Sequence, residues 1–274
     1  EVLFHLFTRS NPGVSEPLFA LTGSIVQSLN LDFERPSVIT IHDFEESVTG
    51  NFNAYVVPAH LTAQDVNIFV VDYSPGSFLY TQALGNSPQV GRMVAAFANL
   101  LIDDFRYHAS QITIVGHGIG AHIGAIAARN IKGDVPRLVA IDPPLNGWAH
   151  HNEKLGPDAA DLVEVLHATI GSYGYDEPLG HYDFYPNGGA IQSGCATSTC
   201  SYIMAYIFYA ESVQADATDG ANKFVGTQCE DWEQATVLAC NGESGIHFGG
   251  FQPKTGVPGS YLFLTNPLPP HARG

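Results

Sequence analysis

Long apolar runs are missing from this chain of 274 residues, and charged side chains are scarce at 14%. No stretch reaches the roughly 18 uninterrupted apolar residues that a membrane-spanning helix needs, so we expect no membrane span. Basic residues are few, because 11 Lys and Arg stand against 27 Asp and Glu, which gives a formal charge of −16. A chain this acidic, without a basic run, is not expected to bind nucleic acid or an anionic membrane surface.

Low-complexity and long disordered tracts are also missing, whereas hydrophobic residues make up 45% of the chain. This composition is typical of a globular protein. The length alone allows one or two domains, but no Pro/Gly/Ser-rich linker divides the chain, so we expect one α/β domain over residues 1–274. The chain begins at Glu1 without Met or a hydrophobic leader, which favours a processed mature form.

A serine is missing from the motif that is most informative about function. Residues 116–120 read Gly-His-Gly-Ile-Gly, which is the frame of a nucleophile elbow, G-x-S-x-G, with Gly118 in place of the serine. The β-branched run at residues 111–115 predicts a buried parallel strand, and the alanine-rich residues 121–130 predict a helix. Strand, sharp turn and helix are the context that the motif requires. Because glycine adopts positive φ without strain, the segment predicts an elbow that keeps its turn and lacks its nucleophile.

The elbow resembles that of the pancreatic lipase family, and more closely that of its insect and phospholipase A1-like members, which usually read G-H-S-L-G-A-H. Further blocks resemble the family in the same order along the chain, at residues 4–12, 38–44, 70–73, 140–143, 161–167 and 177–189. The resemblance implies an α/β-hydrolase fold, with a mainly parallel central sheet flanked by helices. Residues 259–266 resemble the last strand of the family's first domain, so we expect no C-terminal β-sandwich domain.

The resemblance also assigns the three members of an acyl-transfer triad. Asp142 matches the acid, but the nucleophile position holds Gly118, and the base, which the family places in a C-x-H pattern, falls on Tyr202. A phenol with an ordinary pKa of about 10 is a poor general base at neutral pH. Because loss of the nucleophile or the base typically lowers turnover on the order of 10⁶-fold, we expect a protein that is not an enzyme.

The oxyanion turn departs from the family as well. The resemblance gives its donors as the backbone N–H groups of Phe44 and Ile119, and the family glycine before the first of them is Asp43 here. The Asp43 carboxylate either opposes a developing oxyanion or points into solvent and merely tolerates the turn. Three nearby histidines match framework residues of the family: His117, His122 and His181.

A divalent metal site is an alternative use of the same residues. The candidate ligands are His42, Asp43, Asp142, His181 and Asp183. No short metal-binding spacing supports such a site. We therefore expect neither a metal nor another cofactor.

The four cysteines are informative about the cellular compartment of the protein and about access to the cleft above the elbow. The resemblance implies two disulfides, Cys195–Cys200 and Cys229–Cys240, and with them a secreted protein; the alternative is four free buried thiols. In lipases the equivalent of the first disulfide brackets the lid over the active site. Only four residues lie between Cys195 and Cys200, so we expect no mobile lid.

Without a lid, an apolar cleft above the elbow would be either open or filled by side chains, and open apolar surface invites a ligand or a protein partner. The spacing of Tyr202, Tyr206, Phe208 and Tyr209 is more typical of helix packing against a sheet than of a ligand wall. We expect ligand contacts from Phe44, Phe78, Tyr80, Gly118, Ile119, Trp148 and Tyr202.

The leading hypothesis is a secreted, catalytically inactive lipase-like protein that serves as a storage protein or carries a hydrophobic small molecule. Insect yolk proteins, which this chain resembles, combine the same fold with a lost serine, although they are longer. One alternative is a module that uses the former active-site cleft to bind another protein or to form a homo- or hetero-oligomer. Another is a hydrolase with relocated chemistry at Ser74, at Ser201 or at a water beside Asp142.

Overall fold

The core of the protein is a large, mostly parallel sheet. The computed structural model describes residues 1–218 and 222–274, and within these residues eleven strands form one sheet. The strands are β1 (Leu3–Phe7), β2 (Glu16–Leu18), β3 (Ser37–Ile41), β4 (Asn67–Asp72), β5 (Ile112–His117), β6 (Arg137–Ile141), β7 (Leu162–Leu166), β8 (Tyr182–Pro186), β9 (Val225–Gln228), β10 (Ser244–His247) and β11 (Gly259–Phe263).

Helices cover both faces of this sheet. They are α1 (Thr22–Val26), α2 (Asn51–Ala63), α3 (Tyr80–Phe105), α4 (Ile119–Asn130), α5 (Ser198–Ala217) and α6 (Trp232–Thr236), with short 3₁₀ turns at Ser74–Gly76, Ala109–Gln111 and Pro157–Ala159. In the described part of the chain, no helix combines the length and the apolar character needed to cross a membrane.

The strand order is β10-β9-β11-β8-β7-β6-β5-β3-β4-β1-β2. Pairing is parallel from β11 through β8, β7, β6, β5 and β3 to β4. It is antiparallel at both edges, where β1 joins β2 and β4, and β9 joins β10 and β11. The expected mainly parallel sheet flanked by helices is therefore confirmed.

The central strands are mostly apolar on both faces and are buried. All five residues of β3 and of β6 are buried, as expected for parallel strands covered by helices on both sides. Successive side chains point to opposite faces, so Val38 belongs to the core under α2 and α5, whereas Ile39 belongs to the core under α3 and α4.

Both disulfides that the resemblance implied are present. Cys195 and Cys200 are joined, as are Cys229 and Cys240. The first disulfide lies at the start of α5, where the Thr197 side chain caps the helix by accepting a hydrogen bond from the Cys200 backbone N–H at 3.1 Å. Because this end of α5 carries Tyr202, the disulfide and the cap hold that residue close to the elbow.

The sheet places the residues of interest at one edge. Asp43 follows the carboxyl end of β3, Gly118 follows β5, and Asp142 follows β6 directly. Because these three parallel strands are adjacent in the sheet, their carboxyl ends meet at the same edge, which is where ligand sites of α/β proteins lie.

Candidate functional site

The elbow predicted around position 118 is formed between β5 and α4. Gly118 has φ 56° and ψ −128°, a conformation that side chains rarely adopt without strain. Its backbone N–H donates to the Ile141 carbonyl at 2.9 Å. The flanking glycines allow a close approach of backbone, because a Cβ on Gly116 would overlap Gly120 and a Cβ on Gly120 would overlap the end of β3.

The space beside Gly118 that a serine side chain would need is occupied. A Cβ added there would overlap the hydroxyl of Tyr202 and the carboxyl group of Asp43, with the Asp43 Oδ1 atom at only 2.5 Å. Asp43 and Tyr202 therefore leave no room for a serine side chain at position 118.

Asp43, which is buried, and Tyr202, which is partly buried, form a hydrogen-bonded pair over the elbow. The Tyr202 hydroxyl donates a hydrogen bond to Oδ2 of Asp43. Oδ1 of the same carboxylate accepts a hydrogen bond from the Ile119 backbone N–H at 2.8 Å. Because the family resemblance assigns that N–H to the oxyanion hole, a carboxylate oxygen of the protein itself lies on the donor that would stabilise a reaction intermediate. Asp43 thus points into the site and not into solvent.

The ionisation of this pair does not favour base catalysis. Burial raises the pKa of Asp43 to about 6, and hydrogen bonds from Tyr202 and from the Ile119 backbone limit that increase. Burial, followed by the nearby Asp43 carboxylate, raises the pKa of Tyr202 well above its ordinary value. Tyr202 is therefore a neutral hydrogen-bond donor at physiological pH and cannot take a proton from a nucleophile.

Asp142 makes hydrogen bonds that are independent of this pair. It is fully buried, its Oδ1 accepts from the Ala168 N–H at 2.8 Å, and its Oδ2 accepts from the Thr169 hydroxyl at 2.7 Å. Burial raises its pKa to about 6, against the lowering effect of these hydrogen bonds. Within the described residues the Asp142 carboxylate makes no hydrogen bond to Tyr202, so the remaining acid does not orient the residue at the base position.

Several residues considered for relocated chemistry or for a metal have hydrogen-bond partners of their own. The Ser201 hydroxyl is buried and accepts from the Gln192 N–H at 2.9 Å, and the Ser74 N–H donates to Asp72 at 3.0 Å. Asp183 accepts from His167 at 2.8 Å, and the His181 ring accepts from a β7 amide at 2.9 Å. Across residues 1–218 and 222–274, no group of three or more His, Cys, Asp or Glu side chains is arranged to hold a metal.

A cleft of about 560 Å³ opens above the Asp43–Tyr202 pair, within the range typical of small-molecule sites. Three of the expected ligand contacts line it: Phe44, Tyr80 and Tyr202. Phe44 and Tyr80 meet edge to face with ring centroids 5.3 Å apart. Further lining residues come from loops and from α5, among them Glu45, Glu46, Tyr173, Ile203 and Tyr206.

The other expected ligand contacts lie elsewhere. Trp148 is fully buried and stacks on His122 at 4.0 Å between ring centroids, so it belongs to the core under α3 and α4. Phe78 is 71% exposed and does not line the cleft. Gly118 and Ile119 lie beneath the Asp43–Tyr202 pair. An aromatic residue that lies close in the sequence to cleft residues can still pack elsewhere. Whether it lines the cleft depends on the direction of its side chain.

His117 differs from the other histidine beside the elbow, His122, in its hydrogen bonding. His122 hydrogen bonds through both ring nitrogens, to the Pro144 carbonyl and the Leu155 N–H, each at 3.0 Å. His117 lines the cleft and is 1% exposed, and neither of its ring nitrogens makes a well-formed hydrogen bond among the described residues, although the Tyr202 backbone is close enough to raise its pKa. The motif predicted a framework role for His117, and the unpaired nitrogens are visible only in the fold.

The comparisons with known proteins agree with this geometry. A family model described as Lipase matches residues 1–265. Pancreatic triacylglycerol lipase from Myocastor coypus is 32% identical over 86% of this chain and 57% of its own length. Inactive pancreatic lipase-related protein 1 from Mus musculus is 26% identical over 92% of this chain and 58% of its own length.

Pancreatic lipase-related protein 2 from Sus scrofa is 27% identical over 95% of this chain and 62% of its own length. The chain thus spans less than two thirds of the length of these curated relatives. The family model covers almost all of the chain, and the elbow lies at the carboxyl edge of a mainly parallel sheet, as in an α/β-hydrolase fold. This chain belongs to the lipase family.

Proposed function

We propose that this chain is a catalytically inactive member of the lipase family that stores or carries a lipophilic molecule in the cleft above Gly118. The observation that carries the proposal is the Asp43 carboxylate, which accepts from the Ile119 amide and the Tyr202 hydroxyl in the volume that a serine and an oxyanion would need. A site closed in this way cannot form or stabilise an acyl intermediate. The name of the mouse relative, which describes it as inactive, supports this reading.

The open cleft supports the proposal that a lipophilic molecule is carried. It is present even though Asp43 and Tyr202 fill the space beside Gly118. Its walls include Phe44, Tyr80, Tyr173 and Tyr206, which offer large apolar contact areas with polar tips. Secretion is part of the proposal, since the two disulfides are consistent with an oxidising compartment. A yolk-like storage role and an insect source rest on the resemblance of the elbow, and the charge of −16 suits solubility at high concentration.

The test of carriage is a chemical analysis of protein isolated from its native source. We expect an organic-solvent extract to contain one defined lipophile in about stoichiometric amount by mass spectrometry, with an ultraviolet-visible spectrum to show any chromophore. The control is an extract of the same protein after delipidation on a hydrophobic resin. An empty extract from undamaged protein contradicts carriage and leaves storage of the polypeptide itself.

A second candidate function is protein binding at the mouth of the cleft. Tyr173 and Ile203 line the cleft and are 49% and 37% exposed, and Phe78 and Leu79, just before Tyr80, are 71% and 57% exposed. Exposed apolar residues that cluster at a cleft are typical of interaction surfaces. Size-exclusion chromatography with light scattering distinguishes this candidate, which predicts a stable complex or oligomer, from carriage by a monomer.

A further inference from the structure

The cleft is lined by negative charge. Asp43, Glu45 and Glu46 all contribute to its wall, and no Lys or Arg does so within the described residues. One carboxylate oxygen of Glu46, Oε2, is buried beside Gly50 without a well-formed hydrogen bond, and burial raises the pKa of the same carboxyl group against the lowering effect of the Phe52 backbone. Carboxylates in a partly closed cleft attract a cation and repel an anion, and the −16 charge of the whole chain adds to that field.

One of the two backbone N–H groups that a lipase cleft would offer to an anion, that of Ile119, is already used. The Ile119 N–H donates to Asp43, and the Tyr202 hydroxyl donates to the same carboxylate. A carboxylate or phosphate head group entering the cleft would therefore meet acceptors and negative charge where a substrate acyl group would meet donors. Burying such a group without donors is unfavourable.

His117 gives independent support for a polar ligand group in the cleft. Neither of its two buried ring nitrogens makes a well-formed hydrogen bond, and burial lowers its pKa to about 3 against the raising effect of the Tyr202 backbone. The ring is thus neutral, with one N–H donor and one free acceptor nitrogen. An unpaired buried polar group is unfavourable, so a ligand that donates an N–H to the acceptor nitrogen gains affinity.

We propose that the cleft selects an amphiphile whose polar head is a cationic amine and whose body is apolar, in preference to one with an anionic head. The inference rests on the proposed carriage function. The ammonium group donates to the Glu46 carboxylate and the acceptor nitrogen of His117, and the apolar body contacts Phe44 and Tyr80. Tyr173 and Tyr202, which meet edge to face with ring centroids 6.0 Å apart, also line the cleft, and aromatic rings attract cations.

The test compares three probes with the same alkyl chain, decylamine, n-decanol and decanoate, by isothermal titration of delipidated protein below their aggregation limits. We expect decylammonium to bind at least about tenfold more tightly than decanoate, with n-decanol between them, and the ammonium affinity to fall as salt is raised. Decanoate binding as tightly as decylammonium overturns the head-group inference but leaves carriage intact. No binding of any probe, n-decanol included, overturns both.

A pair of charge-neutralising variants locates the effect. Glu46→Gln should weaken decylammonium binding several-fold and leave n-decanol binding unchanged. Glu34→Gln makes the same change in charge at an exposed residue before β3, at the opposite end of the sheet, and should leave both affinities unchanged. Equal weakening by the two variants would mean that the net charge of the molecule, not the cleft, attracts the amine.

Discussion

Residues 43, 118 and 202 share one small volume at the elbow. A glycine at 118 leaves room for the Tyr202 hydroxyl and the Asp43 carboxyl to meet there, and each of those groups would overlap a side chain at 118. Because the triad acts as a unit, restoring one member should restore little activity.

The substitution Gly118→Ser tests this arrangement through stability. We expect it to lower the free energy of unfolding by at least about 2 kcal/mol, since the new side chain must adopt positive φ and displace Asp43 and Tyr202. Urea denaturation measures the change. Gly85→Ser is the matched control, because a Cβ at Gly85 meets nothing within 4 Å and serine suits a helix better than glycine does. No ester hydrolysis should appear in either variant; measurable hydrolysis by Gly118→Ser would show that the missing base is not needed.

The burial of Asp43 predicts a pH dependence of stability. Its pKa is raised from an ordinary 3.8 to about 6, so the folded protein binds this proton more tightly than the unfolded chain does. The resulting stabilisation is complete below the ordinary pKa and is lost as the pH rises through about 6, a difference of about 3 kcal/mol.

The variant Asp43→Asn removes that dependence at one site. Between about pH 4 and about pH 7 we expect the wild type to lose stability relative to the variant by up to about 3 kcal/mol, measured by urea denaturation at each pH. Asp142, whose pKa is also raised to about 6, is present in both proteins, so its contribution cancels. Parallel stability curves would show that Asp43 is not desolvated as described.

At the scale of elements, a buried charge cluster fixes the end of the sheet opposite the elbow. Glu164 of β7 pairs with Arg137 of β6 at 2.7 Å and with Lys254 at 2.9 Å. Glu164 and Arg137 also hydrogen bond to the backbone at Gly249 and Gly250. The Gly249 N–H donates to Glu164 at 2.6 Å, and Arg137 donates to the Gly250 carbonyl at 2.8 Å. The cluster therefore ties two central strands to the segment that follows β10.

Neutralising Glu164 should be strongly destabilising. We expect Glu164→Gln to lower the free energy of unfolding by about 3–5 kcal/mol, because it leaves Arg137 and Lys254 buried without the carboxylate that pairs with both. Asp103→Asn is the control, since it breaks the exposed pair with Lys132 and should change stability by at most about 1 kcal/mol. Similar values for the two variants, measured by chemical denaturation, would mean that the cluster is effectively solvated.

The elements around the elbow could be predicted from local sequence, but the direction of its side chains could not. The β-branched run at residues 111–115 predicted β5 and the alanine-rich segment predicted α4, whereas the blocks that contain β3 and β7 were assigned from the family resemblance. The orientation of Asp43 stayed open because it depends on Tyr202, which is 159 residues away in the chain. Trp148 was wrongly expected at the cleft because its packing also depends on a residue distant in the chain. It stacks on His122 in the core.

At the scale of the whole molecule, a bound lipophile should contribute to stability. A ligand that binds only the folded state, present at a hundredfold excess over its Kd, adds about 2.7 kcal/mol. For a chain of this size we expect delipidation to lower the Tm by about 5 °C. Differential scanning calorimetry of native, delipidated and reloaded protein measures the effect, and reloading controls for damage during extraction. An unchanged Tm after removal of a stoichiometric lipid would show that the lipid binds the folded and unfolded states equally.

We propose that the elbow of this lipase family member does not support hydrolysis, and turnover of short-chain esters, triacylglycerols and phospholipids measures this directly. We predict that the wild type, Tyr202→Phe and buffer alone give the same rate for every substrate. A wild-type rate above buffer that is abolished by Asp142→Asn or by Ser74→Ala would contradict the account, because it would mean that a nucleophile other than residue 118 is active.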